Sequence, residues 1–173
     1  FFSHALSNWL PEILADTGQS DNAAGYLSAI SVTVGIVGSL SIARLVPSRR
    51  RPHALVAIFA VAGAMVAGIG SLPFGLLFGA LAVLGFARAG IIPLLFLEIM
   101  GDKNIAVSDI GAATGLFFAV GEIGGFSGPY VIGWVADTTE GFAAATLVLT
   151  GIAGAAAAGA LALKFVRGTT DVY

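Results

Sequence analysis

The sequence predicts an all-α polytopic membrane helix bundle, and three observations carry that prediction. Of 173 residues, 57% are hydrophobic and only 10% charged, and the mean hydropathy of +0.95 leaves too little polar surface for a water-soluble domain. Apolar runs long enough to cross a bilayer alternate with short gaps that are charged or rich in glycine and proline. The 24 glycines would weaken helices in water but suit membrane helices, where small residues let backbones approach. The absence of cysteine removes disulfides and thiolate chemistry. His4 and His53 stand apart in the sequence, so neither a metal nor a cofactor is expected. The lipid bilayer is the partner this composition implies, and nucleic acid is not.

The runs divide residues 1–166 into six helices, followed by a tail over 167–173. The first helix, 1–14, covers about 21 Å at 1.5 Å per residue, too short to span unaided. It opens at Phe1 with no methionine and no signal-peptide pattern, so it reads as the tail of a helix whose beginning is missing. Its HALSNWLPEIL segment places Asn8 and Trp9 just before Pro11, a polar amide and an aromatic face beside an expected kink. Both are candidates for solute contact. Trp9 equally suits an interfacial anchor, and Asn8 an interhelical hydrogen bond.

The second helix, 23–46, carries Ser28, Ser31, Gly35 and Gly38 at helical spacing, which fits either close packing or cavity lining. The third and sixth helices, 53–70 and 141–166, offer almost nothing that could bind a solute and are expected as scaffold. The fourth, 73–100, contains Arg88 and Pro93. The fifth, 109–135, contains Glu122, followed by Gly124, Gly125, Gly128 and Pro129. Proline removes an amide donor and glycine adds backbone freedom, so Pro93 and this cluster are candidate hinges; static curvature is the other reading.

Orientation follows from the gaps. Arg44, Arg49, Arg50 and Arg51 follow the second helix, Lys103 the fourth, and Lys164 and Arg167 close the sixth. The opposite gaps hold Glu12, Asp16, Asp21, Asp137 and Glu140 and no base. The positive-inside rule then makes the basic loops and the C-terminus cytoplasmic, in an integral protein of the plasma (inner) membrane. Trp9, Tyr26, Tyr130 and Trp134 fall toward the outer interface as an aromatic belt.

Arg88 belongs to no loop. A charge near the bilayer centre costs about 2.5–3.5 kcal/mol on insertion scales, so it normally faces a cavity or a partner. Arg88 lies about 18 Å from Met100, and Glu122 about 20 Å from Asp109, counted from the same side at 1.5 Å per residue. The matched depth lets them meet if their helices are neighbours, near the midplane where transporter sites lie. In a functional reading, Arg88 attracts an anionic or polar solute, while Glu122 takes a proton or gives up Arg88 to that solute. In a structural reading they form a permanent ion pair. Glu98, two residues from Met100, suits a role at the helix end.

These residues resemble the C-terminal half of a major facilitator superfamily transporter over essentially the whole chain. GEIGGFSGPYVIGWVAD, residues 121–137, is similar to the eleventh helix of that superfamily, and NWLPEIL, 8–14, to the seventh helix of its cyanate and nitroimidazole permease group. Gly38 and Arg49, Arg50 and Arg51 match the glycine and basic cluster of the family's cytoplasmic latch, but Ile42 stands where its aspartate is expected. The resemblance implies alternating access around a site between two six-helix halves, so the N-terminal half is an expected partner and this half alone should not transport.

The expected function is therefore secondary active transport of a small anionic or polar solute, with one central carboxylate suited to proton coupling. Multidrug or organic-cation efflux is one alternative. A non-transporting sensor or scaffold of the same fold is another. An enzyme is not expected: no paired-carboxylate motif or nucleophile with a base at helical spacing is present, and the glycines of GEIGGFSG follow no strand.

Overall fold

A computed structural model describes residues 1–170, with side chains through residue 162. The elements are α1 (Phe2–Asp16), α2 (Asp21–Leu45), a 3-10 turn (Ser48–Arg50), α3 (Arg51–Gly68), α4 (Phe74–Ala89), α5 (Ile91–Met100), a second 3-10 turn (Val107–Asp109), α6 (Ile110–Thr138) and α7 (Ala143–Thr170). No strand occurs among the described residues, and five helical spans are long and apolar enough to cross a membrane. Of the tail expected over 167–173, the backbone of 167–170 continues α7. The side chains of Lys164 and Arg167 lie outside the described residues.

Local chemistry sets the helix starts. Ser20 caps α2, its hydroxyl accepting the Ala23 amide. Proline fits the first turn of α3, where its missing N–H costs no helical bond. Asp16, at the end of α1, accepts the Phe142 amide at 3.0 Å just ahead of α7. That bond brings the gap between α6 and α7 to the end of the bundle where α1 meets α2. Arg51 joins the other end, donating from Nη1 to Leu97 O at 2.9 Å, so the start of α3 sits beside the close of α5. The passes thus alternate up and down, with α4 and α5 together making one.

The fourth pass differs from the continuous 73–100 helix expected. It breaks at Gly90, where the Gly90 amide bonds Ala87 O at 3.1 Å and α5 restarts as Leu94 N donates to Gly90 O at 3.1 Å. Pro93 is the cause, because it has no N–H to donate to the Ala89 carbonyl. Glycine is required at the joint: a Cβ on Gly90 would run into the side chain of Ile42 on α2. By contrast, α6 runs unbroken through Gly124, Gly125, Gly128 and Pro129.

Two helix pairs make the most extensive contacts, α3 with α7 and α2 with α4, while α1 lies along α6. Lipid tails are as apolar as leucine, so helix association rests on fit, and the fit here uses small residues. Gly35, Gly38 and Ser31 of α2 face Gly85 and Phe86 of α4, with Ser31 fully buried. A Cβ on Gly38 would strike the Phe86 backbone, and one on Gly85 the backbone of Ser31. The stripe of the second helix is thus a packing seam rather than a cavity wall. Gly38→Ala is expected to lower the unfolding midpoint of the full-length protein in detergent, with strain on the order of 1–3 kcal/mol. An unchanged midpoint would mean that the seam yields freely. The third and sixth helices of the sequence, α3 and α7, approach closely at Gly63, where an added Cβ would sit 3.1 Å from the Ala153 methyl.

Candidate polar pathway face

The first helix buries Ala5, Leu6, Leu10, Ile13 and Leu14 in the bundle and turns His4, Ser7, Asn8 and Glu12 outward. Their spacing of three and four residues places all four on one face. Polar groups on the outside of so apolar a chain are the informative exception, because hydrocarbon would leave them unsolvated.

Arg88 reaches this face from α4. Its Nη1 donates to Ser3 O at 2.9 Å and to the Ser7 hydroxyl, while its buried Nε has no partner. The guanidinium is half-buried. Its charge is held by α1 with donor capacity to spare, since an arginine carries five N–H groups.

Glu122 reaches the same helix from α6. Its Oε2 and the His4 ring each lie 3.4 Å from the point where a Cβ on Gly125 would stand, so carboxylate and imidazole converge over that glycine. Glu122 is exposed. The expected meeting of Arg88 and Glu122 is therefore corrected. Arg88 is bonded to Ser3 and Ser7, Glu122 lies beside His4, and the two charges flank the polar face of α1 from α4 and α6. The difference lies in the neighbours: α1, not α4, is the helix that lies along α6.

Trp9 and Asn8 have separate fates. The Trp9 indole N–H donates to Pro129 O at 2.7 Å, and its ring lies 5.5 Å from that of Phe142. Only a residue without a Cβ fits beneath it, because an atom there on Gly133 would approach Trp9 Cζ2 to 2.6 Å. Trp9 thus braces α1 against α6 with its one donor committed. Asn8 is exposed and its Nδ2 bonds its own helix at His4 O, 2.8 Å away. Its side chain therefore bonds its own helix and stays on the exposed face of α1.

The glycines singled out as hinges seat α1. A Cβ on Gly124 would come within 2.9 Å of the Phe1 nitrogen, and one on Gly128 within 2.8 Å of the Phe1 carbonyl. Their observed role is close approach. At the arginine-rich end, Arg44, Arg49 and Arg50 are exposed, whereas Arg51 ties α3 to the last turn of α5, where a cation suits the carbonyl end of a helix. No group of three or more His, Asp or Glu suited to a metal occurs among the described residues.

His4 and Ser7 were not among the residues that sequence reasoning picked out. Their signal was present in the spacing of His4, Ser7 and Asn8, which share one helical face.

Apolar passes arranged up and down, with one polar face on α1 flanked by Arg88 and Glu122, define an integral membrane helix bundle. A family model described as "Fungal trichothecene efflux pump (TRI12)" matches residues 1–128, and the chain belongs to that family, whose transporters are of the major facilitator type. A protein of Agrobacterium vitis described as "Putative tartrate transporter" is 25% identical over 153 residues, which cover 86% of this chain and 33% of the relative. The chain thus spans about a third of that relative's length. No solved structure matches it.

Proposed function

We propose that this chain supplies one wall of the solute pathway in a secondary transporter that moves a small anionic or polar solute by alternating access, coupled to protons through Glu122. The observation that carries the reading is the face of α1: His4, Ser7 and Asn8 exposed, with Arg88 and Glu122 closing in from either side. Arg88 supplies charge-assisted hydrogen bonds to a carboxylate or a similar oxyanion. Glu122, beside His4, supplies the exchangeable proton. The name of the Agrobacterium relative points to the same solute class, as does the likeness of NWLPEIL to cyanate and nitroimidazole permeases. A second six-helix half would supply the facing wall. Pro93 with the Gly90 break, and the Gly124 to Pro129 stretch, are the places where bending would accompany the switch between inward and outward states.

In this reading the basic loops and the C-terminus face the cytoplasm at the plasma (inner) membrane, a reading supported by the bases the sequence gathers in the gaps of one side. No enzymatic step is assigned.

The test is uptake of labelled tartrate by the full-length protein in liposomes. Uptake should rise under an inward proton gradient and fall with excess unlabelled dicarboxylate. No response to the gradient would exclude proton symport.

The family match favours a second reading, efflux, because the matched model describes an efflux pump. In that reading Glu122 recognises a hydrophobic cation or passes protons inward as solute leaves. Extrusion of a lipophilic cation from loaded cells, with no dicarboxylate uptake, would select it. A scaffold or sensor of the same fold would be indifferent to Glu122→Gln in every transport mode.

A further inference from the structure

Two grooves at the arginine-rich end run into one another. The first, ≈ 880 Å³, is lined by Leu45, Val46, Pro47, Arg49, Arg50, His53 and Ala54. The second, ≈ 330 Å³, has a wholly apolar lining that includes Ile42, Ala57, Val61, Val83 and Phe86, and it shares Val46 and Ala54 with the first. The shared residues make the surface continuous. Its basic mouth lies at the 3-10 turn Ser48–Arg50, and its apolar arm runs between α2, α3 and α4 away from that turn. From Ala54 to Val61 the arm descends about 10 Å at 1.5 Å per residue. No acidic residue is among the described lining of either groove.

From this we infer that the continuous groove is a binding site for an anionic phospholipid, with the phosphate held by Arg49, Arg50 and His53 and one acyl chain laid along Ile42, Ala57, Val61 and Phe86. The chemistry commits to that occupant. A free phosphate or a soluble anion would use the mouth and leave the apolar arm empty, and a zwitterionic lipid would fill the arm but gain less at the mouth. A basic patch at the end of membrane helices is the arrangement that attracts acidic headgroups, and each Arg or Lys near the surface contributes a several-fold gain in affinity. Arg49 and Arg50 are both exposed and free of the helix-capping bond that engages Arg51. An occupied groove would tie α2, α3 and α4 together just beneath the Gly90 joint, so a bound lipid would bear on the flexing of the fourth pass. The site is independent of the solute that the transporter carries.

The experiment uses the full-length transporter in neutral detergent with equal amounts of phosphatidylglycerol and phosphatidylcholine, the retained lipid being counted by native mass spectrometry. The wild type should retain phosphatidylglycerol over phosphatidylcholine by about tenfold or more. The double substitution Arg49→Gln/Arg50→Gln should bring the two lipids to parity. Ala57→Trp, which fills the apolar arm with both arginines intact, should lower phosphatidylglycerol retention by a similar factor; Ala57→Leu serves if the tryptophan variant does not elute as a single sharp species. Equal retention of the two lipids by the wild type would overturn the inference. So would loss in the arginine variant with full retention in the Ala57 variant, since that marks headgroup or phosphate attraction alone.

Discussion

Arg88→Gln should reduce uptake of a dicarboxylate by the full-length protein by about 10- to 100-fold, the range set by losing a hydrogen bond to a charged group worth about 1.5–3 kcal/mol. The size of the effect follows from position. The guanidinium engages Ser3 O and the Ser7 hydroxyl on α1 through Nη1, its Nε is buried without a partner, and Nη2 carries two further donors. Arg88→Lys separates charge from shape. A lysine keeps the cation as a single compact point and cannot serve α1 and a carboxylate together in a planar fork, so recovery should be partial, with weakened apparent affinity. Full activity in Arg88→Gln, with normal expression and folding, would remove Arg88 from the pathway and leave it as a tie between α4 and α1.

The second large effect is expected at Glu122. Glu122→Gln should abolish uptake driven by a proton gradient while leaving exchange of labelled for unlabelled solute across the membrane largely intact. Exchange needs the protein to cycle only with solute bound, whereas net symport needs a group that gains and loses a proton. A proton carried with a monoanion moves no net charge, so the pH difference is what drives accumulation: one pH unit supplies about 1.4 kcal/mol per proton, roughly tenfold. His4 lies beside Glu122, so His4→Gln should slow gradient-driven uptake without removing the response to the gradient. Retention of gradient-driven uptake in Glu122→Gln would reject Glu122 as the coupling group, and loss of both uptake and exchange would mark it as a structural residue instead.

What the sequence made legible follows from what hydropathy and spacing can encode. The membrane class and the six passes were readable because a bilayer demands long apolar runs of defined length. The packing seam between α2 and α4 was visible as Ser31, Gly35 and Gly38 at helical spacing, with its partners Gly85 and Phe86 supplied by the fold. The break in the fourth pass was foreshadowed by Pro93, although it falls three residues earlier, because proline disrupts the bond to the carbonyl four residues before it.

Which helices are neighbours was the part that could not be read. Counting 1.5 Å per residue gave Arg88 and Glu122 their depth, but depth carries no direction around the helix and no identity of the adjacent helix. Packing decides both. The close approach of α1 to α6 over Gly124, Gly125, Gly128 and Gly133 puts α1 between the two charges. The same glycines had suggested flexibility, since absence of a side chain is the signal for hinge and for contact alike. His4 was read only as an isolated histidine, and Ser7 was passed over, for a related reason: a lone histidine and a serine acquire meaning only when the burial of Leu6 and Leu10 fixes which face of α1 turns outward.

The measurement that bears most directly on this arrangement is thiol accessibility in the membrane. The chain contains no cysteine, so single cysteines can be placed here once any in the remainder of the protein are removed. Ser7→Cys and Asn8→Cys in the full-length transporter should react with a charged, membrane-impermeant thiol reagent, and saturating solute should slow both reactions. Ser31→Cys, in the seam between α2 and α4, should stay unreactive. Inert cysteines at positions 7 and 8, in a protein that still transports, would contradict a water-filled pathway along α1.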